Sequence, residues 1–322
     1  MNLLITGANG FIGRALTSRL LSDAARLPPG LGPIGRLTLM DIGFEGPEMP
    51  RVRRLSGSIA DPALLARAFD TPVDVVFHLA SIPGGLAEQN YELGRQVNID
   101  AMIKLLEAAR AQAVALARPP VFVFASSIAV LGSPLPATVD DASPLHPKLS
   151  YGAHKLIGEI LLEDFHRRGW VAARAVRLPG IVARPPQRTG QLSAFLSDIF
   201  RELAEGRSYE CPVSADSTTW LMSVHCIVDN LLHAAALSAA ACENARVWTL
   251  PALRTSMTEL VHAIAEVHGP DVLRRVSYSS NPALEANFGR YPPLVTAAAE
   301  LAGFRHDGDL PTLVRRALLP VT

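Results

Sequence analysis

Leu3-Leu4-Ile5-Thr6-Gly7-Ala8-Asn9-Gly10-Phe11-Ile12-Gly13 reads as a buried strand, a glycine turn and the start of a helix. The three glycines have separate duties. Gly7 permits the sharp turn, Gly10 lets the backbone approach a pyrophosphate, and Gly13 lets the helix pack close on the strand. A helix start also offers unpaired N–H groups and a positive dipole end, so the segment suits a dinucleotide phosphate. Asn9, Phe11 and Ile12 belong to the same turn and join the glycines as candidate cofactor contacts.

Working outward, apolar and β-branched runs recur at Asn2–Thr6, Arg36–Asp41, Arg51–Leu55, Val73–Leu79, Val121–Ser126, Ala172–Leu178 and Arg246–Leu250. Helical patterning fills the gaps at Ile12–Ser22, Ala63–Phe69, Glu92–Gln112 and Tyr151–Arg168. Continuously apolar strands alternating with helices predict an α/β fold, a doubly wound parallel Rossmann sheet covered on both faces. Past Leu178 the rhythm changes: a polar, proline-rich stretch, then helices at Leu192–Gly206, Ser256–Val267, Leu294–Ala302 and Pro311–Leu319. The expected organisation is an NAD-binding domain over residues 1–180 and a smaller mixed α+β substrate lobe over 181–322, with the strand near 246–250 returning to the sheet.

Asp41 ends the second strand. A carboxylate there accepts both adenosine ribose hydroxyls and repels a 2′-phosphate, which favours NAD over NADP. It stands 28 residues past Gly13. The usual interval is about 20, and the stretch Leu27–Gly35, rich in proline and glycine, accounts for the excess as a surface loop.

The whole composition sets bounds. In 322 residues and 34.5 kDa, thirty basic side chains balance thirty acidic ones, which argues against nucleic acid as a partner. Hydrophobic residues at 49% can fill a large core, and a mean hydropathy of +0.22 comes without any run long enough for a membrane span. No basic leader precedes the first strand, so a cytoplasmic protein with a small-molecule partner is expected. Cys211, Cys226 and Cys242 have no disulfide or zinc spacing and read as reduced and buried. His78 and His225 lack companions at metal spacing, so no metal is expected.

Tyr151-Gly-Ala-His-Lys155 puts a tyrosine and a lysine on one helix face, one turn apart. A free tyrosine titrates near pH ~10. A neighbouring ammonium favours phenolate and turns it into a base for a substrate hydroxyl, and Lys155 can also bond the nicotinamide ribose. Between the two, His154 is expected to be exposed. The strand Val121–Ser126 runs into Ser127 at the carboxyl edge, where open α/β sheets bind ligands. A serine hydroxyl there can hold the substrate oxygen. No Gly-x-Ser-x-Gly elbow surrounds it, so a serine hydrolase is not expected.

With these motifs the chain resembles the extended short-chain dehydrogenase/reductases, the NAD-dependent epimerase/dehydratase superfamily, over essentially its whole length. The glycine turn matches the family's cofactor turn, and His78-Leu79-Ala80-Ser81 matches the element lying along the cofactor. Asn98 matches the asparagine of a helix element, and Thr296–Phe304 matches a C-terminal helix signature. The resemblance implies a catalytic set of Ser127, Tyr151 and Lys155, with Ser127 in the hydroxyl role. It also implies cofactor contacts at Ser58, Ile59, Leu79, Ala80, Ser81, Asn98, Leu178 and Pro179. Ser58 stands where an aspartate commonly meets adenine, with Asp61 as a substitute. A homodimer through the helices around Met102–Ala113 and Tyr151–Phe165 is also implied.

A narrower resemblance is to the D-erythronate dehydrogenase branch, carried by Ser126–Pro136, by Arg177-Leu178-Pro179 with Val182–Pro185, and by Cys211–Asp216 with Trp220-Leu221. It implies NAD-dependent oxidation of the C2 hydroxyl of a small sugar acid to the 2-keto acid, within sugar-acid catabolism. Its carboxylate asks for an arginine fork, with Arg184 the candidate and Arg188 the rival. Ser81, Ser127 and Trp220 complete the expected substrate set. The alternative is a nucleotide-sugar 4-epimerase or dehydratase with retained NAD. Against it, Thr219 stands where those enzymes carry a diphosphate-gripping arginine, and Leu131 replaces a tyrosine of theirs. A non-enzymatic dinucleotide sensor would commonly lack the tyrosine–lysine pair present here.

Overall fold

The computed structural model describes residues 1–22, 28, 30–47, 49–186 and 193–320. Its first half alternates in the order β1 (Asn2–Thr6), α1 (Phe11–Leu21), β2 (Arg36–Asp41), β3 (Val52–Ser56), α2 (Pro62–Ala68) and β4 (Val75–His78). There follow α3 (Gly84–Gln89), α4 (Tyr91–Arg95), a π-helical turn at Gln96–Asp100, α5 (Ala101–Leu116), β5 (Val121–Ser127), α6 (Ser150–Arg167) and β6 (Ala172–Leu178). The second half runs β7 (Gly180–Ile181), α7 (Phe195–Ala204), β8 (Tyr209–Cys211), β9 (Thr218–Met222), α8 (Val224–Ala236) and β10 (Val247–Thr249). It closes with β11 (Leu253–Ser256), α9 (Met257–His268), β12 (Val276–Tyr278), α10 (Pro282–Phe288), α11 (Ala297–Leu301) and α12 (Leu310–Leu318).

Seven strands form one sheet in the order β10-β6-β5-β4-β1-β2-β3, every pair parallel. The strand pattern has a direct cause: both faces are covered. Leu3 and Ile5 point into a core shared with α1 and α8, while Leu4 between them joins the opposite core with α2, α5 and α6. Each fully buried leucine of this kind contributes about 1.5–3 kcal/mol of transfer free energy. The expected doubly wound α/β fold is the one found, and strand Val247–Thr249 does pair with β6. Chain order reverses beside β1, which has β2 on one side and β4 on the other. A crevice opens there, outside the carboxyl ends of the strands.

A smaller set of elements sits over that crevice. β9 pairs antiparallel with β11 and parallel with β7, and β8 pairs with β12. Their apolar core comes from α7, α9 and α12. The capping box read at Ser256 and Glu259 is formed with both reciprocal bonds. No helix among the described residues is long and apolar enough to cross a membrane.

Some expectations change. The single helix expected over Glu92–Gln112 is broken by the π turn, which inserts one extra residue per turn and rotates Asn98 inward. The helix expected from Leu192 is described from Phe195. Leu192 itself, Arg188, and Leu27 and Pro29 of the expected surface loop lie outside the described residues.

Candidate active site

A cleft of about 460 Å³ lies against the carboxyl ends of β1, β4, β5 and β6. Gly7, Gly10, Phe11, Ile12 and Gly13 form its floor. Gly7 has a φ of 72°, and a Cβ there would stand 2.6 Å from the Ala80 nitrogen. At Gly13 a Cβ would stand 2.7 Å from Ala8 Cα, so the turn is closed to any larger residue. Gly10 is the N-cap of α1 and brings no side chain to cover the first N–H groups. A cradle that tight, ending in a bare helix start, fits the pyrophosphate of a dinucleotide.

Asp41 is tied to this turn. Its Oδ2 accepts from the Asn9 N–H at 2.8 Å and its Oδ1 from the Ile42 N–H at 2.7 Å. Each carboxylate oxygen keeps further lone-pair capacity for a ribose hydroxyl. Asn9 is thus a clamp on Asp41, and its amide also donates to the Gly43 carbonyl. Asn9, Asp41, Ser58, Ile59, Ala80 and Asn98 are not part of the cleft wall. The Ser58 hydroxyl accepts from the Ala60 N–H, and Asp61, the expected substitute at adenine, caps α2. Asn98 is occupied with backbone: its Oδ1 accepts from the Ile82 N–H at 2.7 Å and its Nδ2 donates to the Ile82 carbonyl. It braces the loop that carries Leu79 and Ser81, both of which line the cleft.

Tyr151, Lys155, Ser127, Ser81, Leu178, Pro179, Arg184 and Trp220 are brought to the same cleft. β5 alternation separates the paired serines. Both border the cleft, but the Ser127 hydroxyl meets the Tyr151 phenol, whereas the Ser126 hydroxyl turns to α6 and donates to the Glu159 Oε1 at 2.5 Å. Burial pushes the Tyr151 phenol up, while Arg184 and the Ser127 and Ser81 hydroxyls favour its ionised form. The sequence reading gave that role to Lys155. Here the Lys155 ammonium donates to the Ala125 carbonyl at 2.7 Å and lies over the Phe124 ring, 4.8 Å from its centre and 5.5 Å from the Tyr151 ring centre. Burial lowers it to about 7, against the pull of Glu159.

Arg184 follows a backbone corner: Ala183 has a φ of 58°, a left-handed conformation unusual for a residue with a Cβ. Arg184 Nε donates to the Ile181 carbonyl at 3.1 Å, and the Arg201 guanidinium donates to the Arg184 carbonyl. Burial lowers the guanidinium pKa, and the Tyr151 phenolate raises it. Trp220 is fully buried, donates to the Pro292 carbonyl at 2.8 Å, and packs edge-on against Tyr291 at 4.8 Å.

His154 corrects the expectation of exposure. It is 4% exposed, with its Nδ1 3.3 Å from the Asn98 amide and its ring beside Tyr91, because α3 and α4 cover that face of α6. His78 is buried, shares a 2.7 Å hydrogen bond with Thr6 Oγ1, and is lowered to about 3 by burial and by Lys155. All three cysteines are free and buried. Phe288, Tyr291, Leu149 and the Gly84-Gly85 pair also line the cleft, and sequence reasoning missed them. Phe288 and Tyr291 sit far along the chain in segments without a motif, so no local signal marks them.

With this geometry in place, comparison with known proteins is direct. Residues 3–247 match the NAD dependent epimerase/dehydratase family. Over 319 residues the chain is 39% identical to the D-erythronate dehydrogenase of Cupriavidus necator, covering 98% of this chain and 97% of that one. It is 30% identical to the Haemophilus influenzae D-erythronate dehydrogenase over 320 residues, covering 98% of each. Among solved structures, a nucleoside-diphosphate-sugar epimerase from Agrobacterium tumefaciens superposes with a TM-score of 0.90 at 30% identity, over 98% of this chain and 92% of that one.

Proposed function

This chain belongs to the NAD dependent epimerase/dehydratase family, and on that premise we propose that it oxidises the C2 hydroxyl of a small sugar acid, of the D-erythronate kind, to the 2-keto acid. The observation that carries this reading is Arg184, a cation held in the cleft within electrostatic reach of the Tyr151 phenol. A 2-hydroxy acid has its carboxylate one bond from the carbon that reacts. A cation beside the catalytic phenol fits that spacing, and a guanidinium donates N–H bonds to a carboxylate. A nucleotide sugar carries its diphosphate remote from the reacting ring carbon, and the position expected to grip it is the buried Thr219.

Tyr151, as phenolate, takes the hydroxyl proton at its Oη while the Ser127 hydroxyl holds the same oxygen. Ser81, which also hydrogen-bonds the phenol, orients it. Arg184 holds the carboxylate, and Trp220 with Tyr291 closes the far wall, which restricts substrate size and excludes water. Gly7, Gly10 and Gly13 would hold the pyrophosphate of NAD, Asp41 the adenosine ribose and Lys155 the nicotinamide ribose. When bound, NAD⁺ supplies the hydride acceptor.

We also assign residues 1–180, with β10, to cofactor binding and the remainder of 181–322 to the substrate, and place the protein in the cytoplasm as a homodimer. Ile103 and Val114 on α5 and Ile157 and Ile160 on α6 are exposed and apolar, which suits pairing of those two helices with a second copy.

Purified protein with NAD⁺ and a panel of four- to six-carbon aldonic acids tests the reaction. NADH formation with a four-carbon acid is expected. No NADH with any acid, or turnover of a UDP-hexose without net NADH, overturns it.

A further inference from the structure

The reaction above leaves the carbon chain of the substrate without a polar partner. The reacting carbon of a 2-hydroxy acid carries a hydroxyl, a carboxylate, a hydrogen and the rest of the chain. The hydroxyl goes to Tyr151 and Ser127, the carboxylate to Arg184 and the hydrogen to the nicotinamide. The chain must therefore lie against another part of the wall. Pro83, Gly84, Gly85 and Leu149 on one rim bring no hydrogen-bonding side chain. On the side of the smaller lobe the wall includes Leu196, Thr219, Trp220, Phe288 and Tyr291, two of which carry hydroxyls.

Strand pairing explains how the cleft reaches those hydroxyls. On one edge, β9 is paired with β11 from Thr218 to Leu221. On the other edge Gly180 and Ile181 of β7 pair with Leu221 and Met222, and Arg290 bridges Thr218. Between these partners, Thr219 and Trp220 have no strand beside them on that edge among the described residues, and the cleft ends at this gap. Thr218 Oγ1 and Trp220 Nε1 donate to the carbonyls of Tyr291 and Pro292, both at 2.8 Å, from one face of β9. Thr219 lies between them and so points from the opposite face. It is 2% exposed, and what little surface it keeps opens to the cleft.

Both hydroxyls are unspent. Tyr291 uses its carbonyl for Thr218 and Arg254, but its Oη, like Thr219 Oγ1, makes no hydrogen bond among the described residues. Burial alone pushes the Tyr291 phenol up. A buried tyrosine hydroxyl ordinarily finds a partner. An aliphatic tail laid against this wall would strip both hydroxyls of water and return nothing, whereas a hydroxylated tail would pair them.

We propose that Thr219 and Tyr291 are specificity-determining residues, each bonding a hydroxyl of the chain beyond C2, so that the enzyme takes polyhydroxylated acids and rejects 2-hydroxy acids with an aliphatic tail. The proposal rests on the C2-oxidation reading.

The test compares NADH formation from 2,3,4-trihydroxybutanoate, in its better diastereomer, with that from 2-hydroxybutanoate, which has the same carbon skeleton. Two hydrogen bonds at about tenfold each predict a wild-type kcat/KM ratio of about 100 in favour of the hydroxylated acid. Thr219→Val and Tyr291→Phe remove only a hydroxyl, and each should lower that ratio about tenfold through loss on the hydroxylated acid. A wild-type ratio of about ten or more, with a fall of about threefold or more in each variant, carries the assignment. A smaller wild-type ratio overturns it, and a smaller fall in either variant overturns the role of that residue. Should Thr219→Val not fold, Thr219→Ala is read by the same criterion. NADH from neither acid sinks the C2-oxidation reading itself, whereas comparable NADH from both sinks this inference alone.

Discussion

Arg184→Met removes the cation from the cleft while keeping an unbranched side chain of similar reach. Hydrogen bonds to charged groups are worth about 1.5–3 kcal/mol net. At 1.4 kcal/mol per factor of ten, KM for the sugar acid should rise about 10- to 150-fold. KM for NAD⁺ should stay within about twofold, because the glycine cradle and Asp41 do not involve this side chain. A second effect follows from Tyr151. Burial raises its phenol and Arg184 opposes that rise, so removing Arg184 raises it further and moves the acid limb of oxidation to higher pH. The assay is initial-rate NADH formation across pH, with the acid and with the uncharged polyol of the same carbon skeleton. Wild type should favour the acid strongly, and Arg184→Met should erase most of that preference. An acid KM within about threefold of wild type, in a protein that still binds NAD⁺, refutes Arg184 as the carboxylate group.

Asp41→Ala removes an acceptor shared by the Asn9 and Ile42 N–H groups and with it the charge that repels a 2′-phosphate. The ratio of kcat/KM for NAD⁺ over NADP⁺ should fall at least tenfold, about 1.4 kcal/mol, and a ratio within twofold of wild type contradicts the assignment. His78 supplies a stability prediction. Its folded value of about 3 lies below the unfolded 6.5. The unfolded chain therefore binds the proton first, and the contribution is fully present above 6.5 and lost as pH falls toward 3. The denaturation midpoint should decline across that window, and His78→Gln should flatten the decline. An unchanged slope shows that other groups control it.

What could be read from the sequence divides along a physical line. The glycine turn, Tyr151 with Lys155, and the capping box at Ser256 are local devices whose chemistry is complete within a dozen residues, and the fold class follows from periodicity that both sheet faces impose. His154 was misread because exposure on a helix depends on what covers it, and the covering helices α3 and α4 come from a separate stretch of chain. The π turn hides in the same way. One extra residue leaves the apolar pattern of Glu92–Gln112 continuous, yet it decides that Asn98 braces Ile82 and does not face the cleft. Phe288 and Tyr291 reach the site only through tertiary packing of the second half.

Glu159 marks the far end of this scale. A glutamate more than two turns into a helix, between Gly158 and Ile160, reads as a solvated charge in any single-sequence argument. Only strand register reverses that reading, because it sets Ser126 beside Arg177 on the face that α6 covers. The same register explains why the two adjacent serines cannot share one role. With a period of two, Ser126 must point at the helix if Ser127 points at the substrate. The catalytic hydroxyl and the buried Ser126–Glu159–Arg177 contact are thus consequences of one strand's pleat, and a one-residue slip of β5 would lose both at once.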